Sequence, residues 1–214
     1  MATPLLRSDA DGLARARAVL AAGGVIAFPT DTVYGLAGNL HDARAVERIY
    51  QIKGRLAQMP LIAMVATREA WPQVALALPP VADVLARRWW PGPLTLILPA
   101  RTDLPARVLG GGATIGVRIP DHPTALALLA SAGRPLATTS ANRSGGVSPA
   151  TADAVLAQLD GEIDLVLDAG PTPQGQASTI VDCTQVPPRL LREGPISAAM
   201  LIDIIGELAG TNRR

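Results

Sequence analysis

Four segments combine residue types and spacing that could do chemistry. Lys53-Gly54-Arg55 sets two cations around a glycine, and Gly110-Gly111-Gly112-Ala113-Thr114 runs into a strand-like segment. Pro29-Thr30-Asp31-Thr32 and Thr138-Thr139-Ser140-Ala141-Asn142 each follow a strand-like segment, the latter continuing into Arg143-Ser144-Gly145-Gly146. Hydroxyls, amides and cations on glycine-rich loops suit a nucleotide's phosphates. Backbone N–H groups and hydroxyls cradle the oxygens, while Lys and Arg neutralise charge developing on phosphorus. The sequence contains no GxxxxGK[ST], no GxGxxG after a strand, no HExxH and no GxSxG. His41 and His122 are the two histidines, and structural or solvent-facing positions are expected for both.

Each segment also has an ordinary structural alternative. Lys and Arg around a glycine suit the C-terminal end of any helix. Ser140 and Asn142 could bind phosphate or simply make a turn. Ser148-Pro149 has the form of a helix N-cap with proline at N1, a position that also attracts phosphate. Arg118 sits in an apolar strand between Val117 and Ile119 and wants an anionic partner, which a substrate carboxylate or a structural Asp would supply. Of 19 basic residues, 18 are arginine, and Lys53 is the sole lysine. Its solitude suggests a position needing a compact ammonium, with chance as the alternative.

The elements positioning these loops alternate between strand-like and helix-like from end to end, which predicts an α/β fold. A capping box of Ser8 and Asp11 is expected to open the first helix, and Gly23-Gly24 to end it. Asp42 is expected to cap a second helix carrying Val46, Ile49, Tyr50 and, at its end, Lys53. Strands are expected at 25–28, 61–65, 94–98, 115–119, 136–138, 165–167, 179–182 and 189–191, and further helices at 81–90, 123–132, 149–159 and 197–208. Several successive strands lack an intervening helix, so the sheet should be mixed, parallel and antiparallel. The loops at strand ends are where ligands are expected.

With 49% hydrophobic residues over 214, the chain can bury a large core, and no linker divides it. A single domain over 1–214 is expected, with its core at about 9–197. The lone Cys183 excludes an internal disulfide and suits a cytoplasmic setting. Charge in the first residues argues against a signal peptide, and no segment approaches the roughly 20 apolar residues that span a bilayer. A formal charge of +1 gives no whole-molecule field to drive nucleic-acid binding.

Taken together, the segments resemble one family over about 9–197. The matching text is Pro29-Thr30-Asp31-Thr32-Val33-Tyr34-Gly35-Leu36, Ile52-Lys53-Gly54-Arg55, Trp90-Pro91-Gly92-Pro93-Leu94-Thr95 and Thr114-Ile115-Gly116-Val117-Arg118-Ile119-Pro120. It continues with Thr138-Thr139-Ser140-Ala141-Asn142, Ser178-Thr179-Ile180-Val181-Asp182 and Arg192-Glu193-Gly194. In this order and spacing they resemble the YrdC/TsaC threonylcarbamoyl-AMP synthases. The resemblance implies a twisted mixed sheet with flanking helices and a concave, positively lined cavity. It implies synthesis of threonylcarbamoyl-AMP from L-threonine, bicarbonate and ATP with Mg²⁺, and hand-over to a TsaD-type transferase complex that modifies adenosine 37 of ANN-decoding tRNAs. By position, Lys53, Arg55, Ser140 and Asn142 resemble the family's catalytic KxR/SxN tetrad around the triphosphate. Thr114, Ser148 and Arg192 match further ATP positions, and Thr32, Arg118, Thr138 and Ser178 match L-threonine positions. No resident protein-bound metal is implied.

One stretch departs from the pattern. Where many members read Arg-Pro, then Asn-Pro-Leu and later His, this chain has Arg55-Leu56, Met59-Pro60-Leu61 and Met64. Two polar contacts are replaced by methionines, at about 1–3 kcal/mol each where such contacts are buried. The chain's extent implies that the C-terminal domain of longer members is missing. Two other functions stay open: an RNA-binding relative without catalysis, with tRNA as the expected contact, and a carbamoyl-AMP-forming relative. An aromatic content of 3% offers few stacking platforms for the first.

Overall fold

The computed structural model describes residues 1–209, so the last five residues of the expected domain lie outside the described part. Ten strands form one sheet: β1 Leu5–Arg7, β2 Ile26–Phe28, β3 Gly35–Asn39, β4 Ile62–Met64, β5 Leu94–Pro99, β6 Thr114–Arg118, β7 Leu136–Ser140, β8 Leu165–Asp168, β9 Thr179–Asp182 and β10 Arg189–Arg192. Their order is β1-β8-β2-β3-β7-β4-β6-β5-β9-β10. β8 pairs parallel with β1 and β2, β4 with β6, and β5 with β9; the remaining five pairs are antiparallel. The mixed sheet is as expected.

Six helices flank it: α1 Ala10–Ala21, α2 Ala43–Lys53, α3 Pro80–Trp89, α4 Pro123–Ala132, α5 Ala152–Leu159 and α6 Ala198–Ile205, with a 3-10 turn at Arg68–Gln73. Strand alternation sorts the core onto two faces. Ala27, Leu36, Ala63, Ala137 and Val166 pack with α2, α3, α5 and α6. Their neighbours Ile26, Phe28, Ala37, Met64, Leu136, Leu165 and Leu167 pack with α1 and α4. Each fully buried Leu, Ile or Phe contributes about 1.5–3 kcal/mol relative to exposure.

Two helix starts differ from expectation. Asp9, not Ser8, caps α1, its carboxylate accepting from Gly12 N at 2.9 Å. Ser8 is drawn to the sheet edge instead, its N–H donating to Asp168 O at 2.9 Å. The fifth helix begins at Ala152, capped by Thr151, whose Oγ1 accepts from Ala154 N at 3.2 Å. Ser148 is therefore not its N-cap. The carbonyls of Pro149 and Ala150 accept from Tyr34 N and Thr172 N, both at 2.8 Å, which ties that segment to neighbouring loops and delays the helix. β1 and β3 were not expected. β3 carries two glycines in five residues and no β-branched side chain, so its sequence does not read as a strand. Space is tight there: a Cβ at Gly35 would meet Phe28 and Thr138 at 3.2 Å each, so any larger residue would have to displace them.

Candidate active site

In-register strand partners share a face of the sheet. Met64 is paired with Arg118, Ile62 with both Gly116 and Thr138, Gly35 with Ser140, and Ile97 with Gly116. Since Met64 faces α1 and α4, this whole set lies on that side. The two helices cover only part of the face, and the uncovered part is the floor of a cavity of about 440 Å³. Thr32, Arg55, Arg118, Thr138, Ser140, Ser178 and Arg192 all line it. The structure thus brings together residues from positions 32 to 192. Met59 and Met64 line it as well, together with Ile62, Ile97 and Ile180, so much of the wall is apolar.

Arg118 is the most deeply held cation facing the cavity. Its Nε donates to Gly92 O at 3.0 Å, Nη1 to Thr32 Oγ1 at 2.8 Å and Nη2 to Asp31 Oδ1 at 2.6 Å. The side chains of Arg118 and Asp31 are each 4% exposed. Burial lowers the arginine's pKa and the Asp31 carboxylate opposes that shift. A guanidinium has five N–H donors, of which these bonds use three. Asp31 is the structural partner that the strand arginine called for, and Arg118 lines the cavity as well.

Two further guanidiniums face the same space. Arg55 donates from Nε to Met59 O at 3.1 Å and from Nη2 to Pro60 O at 2.9 Å. Arg192 donates from Nε to Ser178 O at 2.9 Å and from Nη2 to Ser178 Oγ at 3.2 Å. Burial lowers the pKa of both, and Arg55 lowers that of Arg192 further. The described cavity lining holds three arginines and no carboxylate. Mutually repelling cations in a concave, partly dry wall favour an anionic occupant.

The other expected site residues lie elsewhere. Lys53 is 2% exposed, and its Nζ faces Ser140 O, Asn142 O and Asn142 Oδ1 rather than the cavity. Burial, then the neighbouring Arg55, lowers its pKa to about 7. Asn142 is buried, with Nδ2 donating to Arg143 O and Gly146 O at 2.7 Å each. Thr114 opens β6, paired with Pro99, and Ser148 sits before α5; neither lines the cavity. Asp31 was overlooked as a site residue. The signal was present: a buried strand arginine demands a carboxylate, and Asp31 stands beside Thr32 in a strand-end loop. Among the described residues, no helix is long and apolar enough to cross a membrane.

A family model covering Sua5, YciO and YrdC, described as "Telomere recombination", matches residues 18–194. The chain is 44% identical to the threonylcarbamoyl-AMP synthase of Pyrococcus abyssi over 87% of its own length and 55% of that protein's. It is 42% identical to the threonylcarbamoyl-AMP synthase of Bacillus subtilis, over 96% and 60% respectively. Among solved structures, Pyrococcus abyssi Sua5 complexed with L-threonine superposes with a TM-score of 0.92 at 40% identity, covering 96% of this chain and 61% of that one. Escherichia coli YciO gives 0.80 at 27% identity over 90% and 95%. The chain therefore spans between about half and two thirds of the two synthases and of the threonine-bound structure.

Proposed function

The chain belongs to the Sua5/YciO/YrdC family, and we propose that it forms threonylcarbamoyl-AMP from L-threonine, bicarbonate and ATP. The observation that carries this reading is the convergence of Arg55, Arg118 and Arg192 on one cavity without an acidic residue in its described lining. Three cations lining one cavity suit two anions held side by side. The carboxylate of an amino acid fits Arg118, flanked by the Thr32 and Thr138 hydroxyls. The phosphates of ATP fit Arg55 and Arg192. Mg²⁺ enters on those phosphates as part of the substrate.

The chemistry follows from placing these anions together. The amine of threonine takes up CO₂ derived from bicarbonate, giving an N-carboxylate. One of its oxygens attacks the α-phosphorus, the bond to the β-phosphate oxygen breaks, and pyrophosphate leaves. No protein nucleophile takes part. The protein orients the two reactants and stabilises charge on the transferring phosphoryl group with Arg55 and Arg192. The apolar wall of Met64, Ile62, Ile97 and Ile180 excludes water from the mixed anhydride that forms. The product is an acyl donor suited to a TsaD-type transferase and, through it, to tRNA in the cytoplasm.

The test is pyrophosphate release from Mg-ATP, with and without bicarbonate and L-threonine, with L-serine and glycine as comparators. Release requiring both threonine and bicarbonate is expected. Release indifferent to the amino acid would remove threonine from the reading. No release from a folded, ATP-binding chain would remove the synthase activity itself.

A further inference from the structure

Helix α2 ends on a junction that faces away from the cavity. Lys53 Nζ lies 2.6 Å from Ser140 O, 2.6 Å from Asn142 O and 3.2 Å from Asn142 Oδ1. An ammonium carries three donors and no acceptor, so the end of β7 and the loop after it occupy all of them. The two segments are joined in the opposite sense too. Ser144 N donates to Lys53 O at 2.9 Å, and Arg143 Nη1 donates to Ile52 O at 3.0 Å. These are carbonyls that a helix end leaves without intrahelical partners. Asn142 is committed to the same junction: its Oδ1 accepts from Lys53 and, at 2.5 Å, from Ser140 Oγ.

Arg55 differs, although only one residue separates it from Lys53. Gly54 adopts φ 60°, a left-handed turn that only glycine takes without penalty. A Cβ there would meet nothing within 4 Å, so the turn and not crowding selects glycine. The turn takes Arg55 off the helix face that buries Lys53 and puts it in the cavity wall, where it also bonds Met59 O, Pro60 O and Tyr50.

We propose that Lys53 is a positioning residue: its ammonium clamps the Ser140–Gly146 segment to the end of α2 and presents Ser140 and Arg55, which touch the anion while Lys53 does not. The four residues Lys53, Arg55, Ser140 and Asn142 then divide into a clamp (Lys53 and Asn142) and a contact pair (Arg55 and Ser140). The compact ammonium is required because a guanidinium is planar and cannot direct donors to three oxygens arranged around one nitrogen. This deepens the reading of the cavity as a nucleotide site and rests on it only for the choice of anion.

Because the chain has one lysine, lysine labelled with ¹⁵N at Nζ reports this group alone. In the ligand-free chain the ammonium signal is expected at about pH 6, below the lowered pKa of about 7, since its hydrogens are buried and bonded. Inorganic tripolyphosphate should shift the Arg55 Nε signal and leave Nζ in place. In Lys53→Met, the amides of Ser144 and Gly146 should exchange about tenfold faster, equivalent to about 1.4 kcal/mol, while Arg55→Met leaves them protected. Arg55→Met should flatten the salt dependence of tripolyphosphate binding, and Lys53→Met should not. An Nζ shift as large as that of Arg55 Nε would overturn the proposal in the unaltered chain, whether or not Lys53→Met folds. So would flattened salt dependence in Lys53→Met with unchanged loop exchange. A chain that releases no pyrophosphate but shows the protected ammonium and the faster loop exchange would sink the synthase reading and leave the clamp standing.

Discussion

Replacing Asp31 by Asn removes one charge from the Arg118 pair while keeping an oxygen for Arg118 Nη2 and for Asp121 N, the latter 3.1 Å away. The closest atoms of the pair are 2.6 Å apart and both side chains are 4% exposed, so water screens the pair poorly. With charge centres about 4 Å apart and an effective dielectric constant of about 20, the lost attraction is about 4 kcal/mol. Removing one partner of a buried pair costs about 3–5 kcal/mol by a separate route, the burial of an uncompensated charge. The two figures agree. Against a domain stability of about 5–15 kcal/mol, that loss is large and measurable by urea unfolding with linear extrapolation. The decisive comparison is a double-mutant cycle with Arg118→Met. Arg118→Met should cost about 4 kcal/mol less in the Asp31→Asn background than in the unaltered chain, because the penalty of the orphaned carboxylate is already gone. Additive losses, or an Asp31→Asn variant within about 1 kcal/mol of the unaltered chain, would refute the argument that this pair is held by its charge.

Thr151→Ala should lower stability by about 1 kcal/mol through loss of the cap to Ala154 N, whereas Ser148→Ala should change it little; equal losses in denaturant unfolding would restore Ser148 as the cap. Gly116→Val should cost stability, since a Cβ there meets Thr95 Cγ2, Ile97 Cδ1 and Ile62 Cγ1 at 3.2–3.4 Å, and should also weaken ligand binding at the cavity floor; urea unfolding and calorimetric titration with ATP and with L-threonine read the two effects. Cys183 is buried, and burial pushes its thiol up to about 12, above the free-thiol value of about 8.5. It should resist iodoacetamide at pH 8.5 until the chain is unfolded. Its contribution to stability is complete below about pH 8.5 and falls as pH rises towards 12, because the unfolded thiol releases its proton first. Removing that loss with Cys183→Ala should flatten the alkaline limb of the unfolding profile.

Much of the site was written locally. The Asp42 cap, the apolar face of Val46, Ile49 and Tyr50, and the Gly54 stop together define α2, because capping and helical periodicity depend on neighbours three or four residues away. The need of Arg118 for an anion was equally plain, since a charge in an apolar strand must be compensated wherever it folds. Which anion compensates it was not, because Asp31 lies 87 residues away and reaches Arg118 only across the sheet. Lys53 and Arg55 look interchangeable in the sequence as two cations around a glycine. Only the packed structure separates them, by placing three carbonyl-type oxygens around one and open space before the other. The same holds for β3, whose glycines deny it any strand pattern of its own and which exists because β2 and β7 pair with it on both sides. Residue type therefore decided what each group needs, and tertiary contact decided which need is met by the protein and which is left for a ligand.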